Sequence, residues 1–218
     1  MATGDDSLDL RIVGVEPADE IAGARRLTLR TTRGAIPIVL HAPEGATRAA
    51  VCVSGALGGL DGPALLYARM GAELPRRGIA VARVDYRAPN DFGECLLDAL
   101  AAITFLKGSG YRRAALVGHS FGGAVAINAG TLNPIVAAVI AISSQLAGAQ
   151  VVGELAPKPL LLIHGAADEI IAPRSSELIF ARAGEPRQLE LIAGGDHRLS
   201  GFGERLLELV GEWLSSRL

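Results

Sequence analysis

The stretch Gly118-His119-Ser120-Phe121-Gly122 sets one hydroxyl between glycines, after the apolar run "AALV" and before a run of small residues. Two chemistries fit. Ser120 is either a helix N-cap, a position that serine favours, or a nucleophile held at a sharp strand-to-helix turn. A cap needs no glycine on both sides. A nucleophile at such a turn does, because the backbone there is strained and a flanking side chain would collide with it. The motif alone decides little. With 27 glycines and 11 serines in 218 residues, chance supplies Gly-x-Ser-x-Gly roughly 0.2 times in a chain like this.

A serine hydroxyl is a poor nucleophile unless a base takes its proton. The chain has four histidines. His41 falls in an early strand-like run, His119 adjoins Ser120 and should point away from it, and His164 ends the run "PLLLIH". His197 follows the last strand-like run, "LELIA", in a Gly-rich loop where its ring can be placed freely, which makes it the candidate base. Such a base needs an acid to fix its tautomer and to stabilise the imidazolium. Asp168, in "LLLIHGAADEIIAP", lies three residues after the strand-ending Gly165. Its neighbour Glu169 should face another way, and Asp196 is too local to reach the His197 ring from behind. Each residue taken singly has a plain alternative as a cap, a turn residue or a loop histidine. Together they run nucleophile, acid, base, each after a different strand. The chemistry this order supports is acyl transfer to Ser120 followed by hydrolysis, with no metal or cofactor.

The elements that position these residues alternate along the chain. "RRLTLRTTRG" and "AIPIVLHAPEG" read as two strands paired at a sheet edge. "RAAVCVSG", "IAVARVDY", "AALVG", "VAAVIAIS", "PLLLIHG" and "RQLELIAG" read as further strands. Helices are expected at "PALLYARMGAELPRRG", stopped by Gly78, and at "FGECLLDALAAITFLKGSG", where Leu96, Leu97, Leu100, Ile103 and Leu106 keep helical spacing. Three more are expected at "SFGGAVAINAGTLN", at "PRSSELIFARAG" with Pro173 in its first turn, and at "GFGERLLELVGEWLSSRL". The alternation implies an α/β fold: parallel strands, right-handed crossovers, and helices on both faces. Ligands then gather at the carboxyl ends of the strands. The length fits one domain over residues 1–218, with 1–24 as a polar lead-in.

In "LVGHSFGG", "LLLIHGAADEIIAP", "GGDHRL" and "VCVSGALGG" the chain resembles the α/β-hydrolase superfamily, from about Arg25 to its end. The resemblance implies an eight-stranded, mostly parallel sheet whose second strand is antiparallel. It also implies an oxyanion hole of two backbone N–H groups. One belongs to Phe121. The other belongs to Ala56 if Gly55 aligns with the family's glycine, or to Leu57 if the alignment shifts. Ser54 stands where the family's loop commonly has His. Many relatives carry a cap after the sixth strand. Here only Gln145 to Lys158 occupy that place, too few for a cap domain. The site is therefore expected to be open, with walls from Leu57, Leu60, Ser144, Gln145, Ile170, Ile171 and Leu199.

Such a cleft suits short acyl or aryl esters, or thioesters. The chain is similar to small, cap-free, dienelactone-hydrolase-like esterases, although dienelactone hydrolases use a Cys nucleophile. The expected activity is a carboxylic-ester hydrolase acting on a small molecule, with an acyl thioesterase as the next enzyme reading. A non-catalytic small-molecule receptor of the same fold is the alternative from another class. In "DYRAPND", Arg87 and Asp91 fall near one rim. Arg87 reads first as an exposed or structurally paired arginine and only second as an anion ligand.

Composition excludes other classes. The formal net charge is -2 with no block of like charge, so neither nucleic acid nor an anionic membrane is expected as a partner. No apolar run reaches the ~18 residues of a membrane span, and "MATGDDSLDL" lacks the basic start and apolar centre of a secretory signal. A cytoplasmic location follows as the default. Cys52 and Cys95 are isolated and read as small core residues, with no disulfide framework and no metal site.

Overall fold

Near-continuous runs of Ala, Val, Ile and Leu build the centre of the sheet. They form β4 (Arg48–Val53), β5 (Ile79–Val84), β6 (Arg113–His119), β7 (Val136–Ile142) and β8 (Leu160–Gly165), and every residue of β8 is buried. A computed structural model describes residues 9–21 and 23–218. With β9 (Arg187–Ile192) these strands run parallel in the order β5-β4-β6-β7-β8-β9. Three more strands, β1 (Ile12–Ile21), β2 (Ala24–Thr31) and β3 (Gly34–His41), extend the sheet beyond β5 through antiparallel pairings.

Alternation along each strand divides the core in two. Ala49, Val51 and Val53 of β4 pack with Ala99 and Ile103 of helix α2 (Phe92–Gly108) and with Ala124 and Ile127 of α3 (Phe121–Leu132). Ala50 and Cys52 face the other way, onto Leu66 and Met70 of α1 (Leu66–Glu73) and Leu206 and Val210 of α5 (Gly203–Arg217). Helix α4 (Arg174–Arg182) joins the first face through Ile179. Burial of each large apolar side chain stabilises the fold by about 1.5–3 kcal/mol. Both faces of the central strands are thus covered, and their carboxyl ends are held in register.

Strands β2 to β9 form the expected eight-stranded set, with β3, the second of them, antiparallel to both neighbours. The ninth strand corrects the expected N-terminal lead-in. Residues 1–8 lie outside the described residues, but Ile12–Ile21 pairs with β2 and takes the edge position expected for β2. Glu16, Pro17, Asp19 and Glu20 disguised it. An edge strand is held by backbone pairing, buries little, and tolerates Pro and charge.

The first expected helix is broken into a 3-10 turn at Pro63–Leu65, α1, and a second 3-10 turn at Leu74–Arg77. Pro75 has no N–H to continue the α-helical pattern, and Gly78 closes the element at φ 72°. Pro173 stands one position before α4, as its N-cap. Residues between β7 and β8 make one 3-10 turn, Gln150–Leu155, packed into the core by Val152 and Leu155, with no cap domain.

Candidate active site

Ser120 joins β6 to α3. Its backbone sits at positive φ, with φ 57° and ψ -121°, and its side chain caps nothing. Its N–H donates to the Ile142 carbonyl at 2.8 Å, tying the turn to β7. The flanking glycines are required by space. A Cβ on Gly118 would sit 2.0 Å from the Gly122 carbonyl oxygen, and one on Gly122 would sit 2.2 Å from that of Ser54. Both obstacles are backbone and cannot swing aside.

Loops after three strands converge on this turn. The Ser120 hydroxyl lies 3.1 Å from His197 Nε2, and the other ring nitrogen, Nδ1, lies 2.8 Å from Asp168 Oδ2. Asp168 Oδ1 accepts from the N–H groups of Ile170 at 2.9 Å and Ile171 at 2.8 Å. Burial pushes the Asp168 carboxyl up, but the Ile171 N–H, the His197 ring and the Ile170 N–H outweigh it and hold it below its ordinary value. The carboxylate is therefore charged at neutral pH and able to accept from the imidazole. The His197 loop crosses the end of β8 closely enough that a Cβ on Gly165 would meet the Gly195 carbonyl oxygen at 2.3 Å.

His119, beside Ser120, turns away from it and meets the carbonyl of His197 through Nε2 at 3.0 Å, with the two ring centroids 4.9 Å apart. Burial lowers its pKa from 6.5 to about 4, against the bond to that carbonyl, which raises it. An unfolded chain binds the proton first, so stability is complete above pH 6.5 and falls as pH drops toward 4. The loss across this window is about 3 kcal/mol. Urea denaturation at several pH values should show that slope, and His119→Gln should flatten it. An unchanged slope in the variant would remove His119 as its cause.

A cavity of about 400 Å³ opens above Ser120 and His197, with Leu57, Leu60, Ile170 and Arg198 among its walls. Leu57 and Ile170 are largely exposed at its mouth. Ser144, Gln145, Ile171 and Leu199 do not line it. Ser144 is buried beneath α3, against Gly123. Gln145 donates to the Ala147 carbonyl. Ile171 spends its N–H on Asp168, and Leu199, at φ 52°, turns into the core. Arg87 is structurally paired: its guanidinium is almost wholly buried against Asp98 and Glu94. Asp91 caps α2 by accepting from the Glu94 N–H. A larger groove, about 580 Å³, runs along Arg25, Arg26 and Tyr111, and holds none of Ser120, Asp168 and His197.

The loop after β4 passes beside Ser120. A Cβ on Gly55 would lie 3.4 Å from that of Ser120. Ser54 braces this loop by donating to the Gly59 carbonyl at 2.5 Å. Asp85, which sequence reasoning passed over, accepts from the Gly59 N–H at 2.8 Å. Phe121 supplies the first N–H of α3, a group with no partner inside the helix. Among the described residues no group of His, Cys, Asp and Glu is arranged to hold a metal ion, and no helix is long and apolar enough to cross a membrane. Both cysteines are buried and free.

No family model matches the chain. It is 30% identical to the uncharacterized protein YfhR of Escherichia coli K12, over 61% of this chain and 57% of that protein. The chain thus spans less than two-thirds of that relative's length. Among solved structures, dienelactone hydrolase from Anabaena variabilis superposes with a TM-score of 0.76 at 19% identity, covering 93% of this chain and 99% of that one. The esterase domain of a Rhodothermus marinus protein gives 0.71 at 20% identity, covering 94% and 99%. At these identities the likeness is one of fold.

Proposed function

We propose that this chain, which has the α/β-hydrolase fold, is a serine hydrolase that cleaves carboxylic esters of short acyl or aryl type. One observation carries the proposal: His197 bridges the Ser120 hydroxyl and the Asp168 carboxylate through its two ring nitrogens. Asp168 keeps the Nδ1–H tautomer, so Nε2 is free to accept. His197 takes the Ser120 proton as Oγ attacks the ester carbonyl, then gives that proton to the departing alcohol. Water attacks the acyl-enzyme with His197 again as base, and Ser120 is released. The negative oxygen of each tetrahedral intermediate is assigned to the N–H groups of Phe121 and Ala56 (or Leu57). Loss of one such donor costs about 3–4 kcal/mol in studied hydrolases.

A dienelactone hydrolase and an esterase domain share the fold, which agrees with this chemistry without choosing a substrate. The choice rests on the cavity. Its volume is near the lower end of the range for small-molecule sites. Its apolar walls, Leu57, Leu60 and Ile170, suit a short acyl or aryl group. A panel of p-nitrophenyl esters and acyl-CoA thioesters of graded length tests this. The highest kcat/KM should fall on acetyl to butyryl or benzoyl esters. Preference for thioesters would replace the ester assignment, and absence of turnover across the panel would favour a receptor.

A further inference from the structure

His164 is a fully buried histidine that none of these steps uses. It stands on β8, four residues before Asp168. Its Nδ1 lies 2.7 Å from the Ser176 hydroxyl on α4, itself fully buried. Its Nε2 lies 3.0 Å from Asp168 Oδ2 and 2.9 Å from the Ile171 carbonyl. The carbonyl only accepts, as does an ionised carboxylate, so Nε2 carries the proton and Nδ1 accepts from Ser176. The single Nε2–H is shared between Asp168 Oδ2 and the Ile171 carbonyl. Asp168 Oδ2 therefore takes N–H bonds from two imidazoles, His164 on one side and His197 on the other.

We propose that His164 is a positioning residue for the acid. The two N–H groups on Asp168 Oδ1 come from Ile170 and Ile171, which belong to the same loop and move with it. His164 and Ser176 belong to β8 and α4. Through them the carboxylate is tied to the rigid frame, and Oδ2 stays aimed at His197 Nδ1. That aim selects the His197 tautomer whose Nε2 can receive the Ser120 proton. The inference rests on the acyl-transfer reading of the site, but its test can be separated from it.

Nitrogen-15 NMR of the His197 ring reports the tautomer without substrate, and steady-state kinetics report its consequence. In His164→Leu the Nδ1–H population and its hydrogen-bonded, low-field proton signal should fall. Its kcat should drop roughly 10- to 100-fold with KM little changed. In His164→Gln the side-chain amide can donate to both Asp168 and Ile171, so signal and kcat should stay near wild type. Ser176→Ala, which removes only the hydroxyl on Nδ1, should shift both in the same direction as Leu and by less. It carries the test if His164→Leu fails to fold. A His197 ring unmoved in the folded Leu and Ala variants overturns the proposal, as does a Gln variant as impaired as Leu. If wild type turns over neither ester nor thioester but the ring responds, the brace stands and the hydrolase reading falls.

Discussion

Ser120→Ala is expected to lower kcat on a short p-nitrophenyl ester by roughly 10^5- to 10^6-fold, while moving the urea midpoint by the equivalent of no more than ~1 kcal/mol. The separation of the two effects follows from the geometry. The Ser120 side chain makes no capping bond to α3, and its hydroxyl meets His197 Nε2. Alanine keeps the Cβ that the turn already holds at φ 57°, so no new strain arises. Were Ser120 a cap, the pattern would reverse: stability would fall by about 0.5–2 kcal/mol and turnover would be untouched. One variant measured in both assays thus decides between the two readings of this hydroxyl.

Asp168→Asn should lower kcat by about 10^4-fold with the protein still folded. All four bonds to the carboxylate need an acceptor: two backbone N–H groups on Oδ1 and two imidazoles on Oδ2. Asparagine offers one acceptor oxygen and one NH2. If the oxygen stays with Ile170 and Ile171, the NH2 faces His197 Nδ1. The ring must then accept there, its proton moves to Nε2, and it can no longer take one from Ser120. Single-turnover acylation should slow with the steady-state rate, and KM should change far less than kcat. A loss under tenfold in a folded variant would show that Asp168 does not set the tautomer.

Ser120, Asp168 and His197 were legible because each follows an apolar run long enough to read as a strand, and parallel strands deliver their carboxyl ends to one side. The expected walls of the cleft were less so. Position after a strand does not set side-chain direction: Leu57, Leu60 and Ile170 reach the cavity, while Leu199 at φ 52° points into the core and Ser144 packs under α3. Strand β1 was hidden because an edge strand needs backbone pairing and little apolar burial. The kink at Ala64 and Leu65, both at positive φ, has no glycine to announce it at those positions. His164 left a faint signal, one titratable residue in an otherwise apolar buried strand, four residues before the candidate acid. Only the partners brought by α4 and the Asp168 loop give it meaning.

A fluorophosphonate probe distinguishes an activated nucleophile at Ser120 from an inert hydroxyl, since its phosphorus is attacked by an activated serine and retains the adduct. Peptide mass spectrometry of the labelled protein should find one adduct, on Ser120, lost in Ser120→Ala and formed far more slowly in His197→Ala. An adduct on another residue, or a folded protein that takes up no probe, would contradict it.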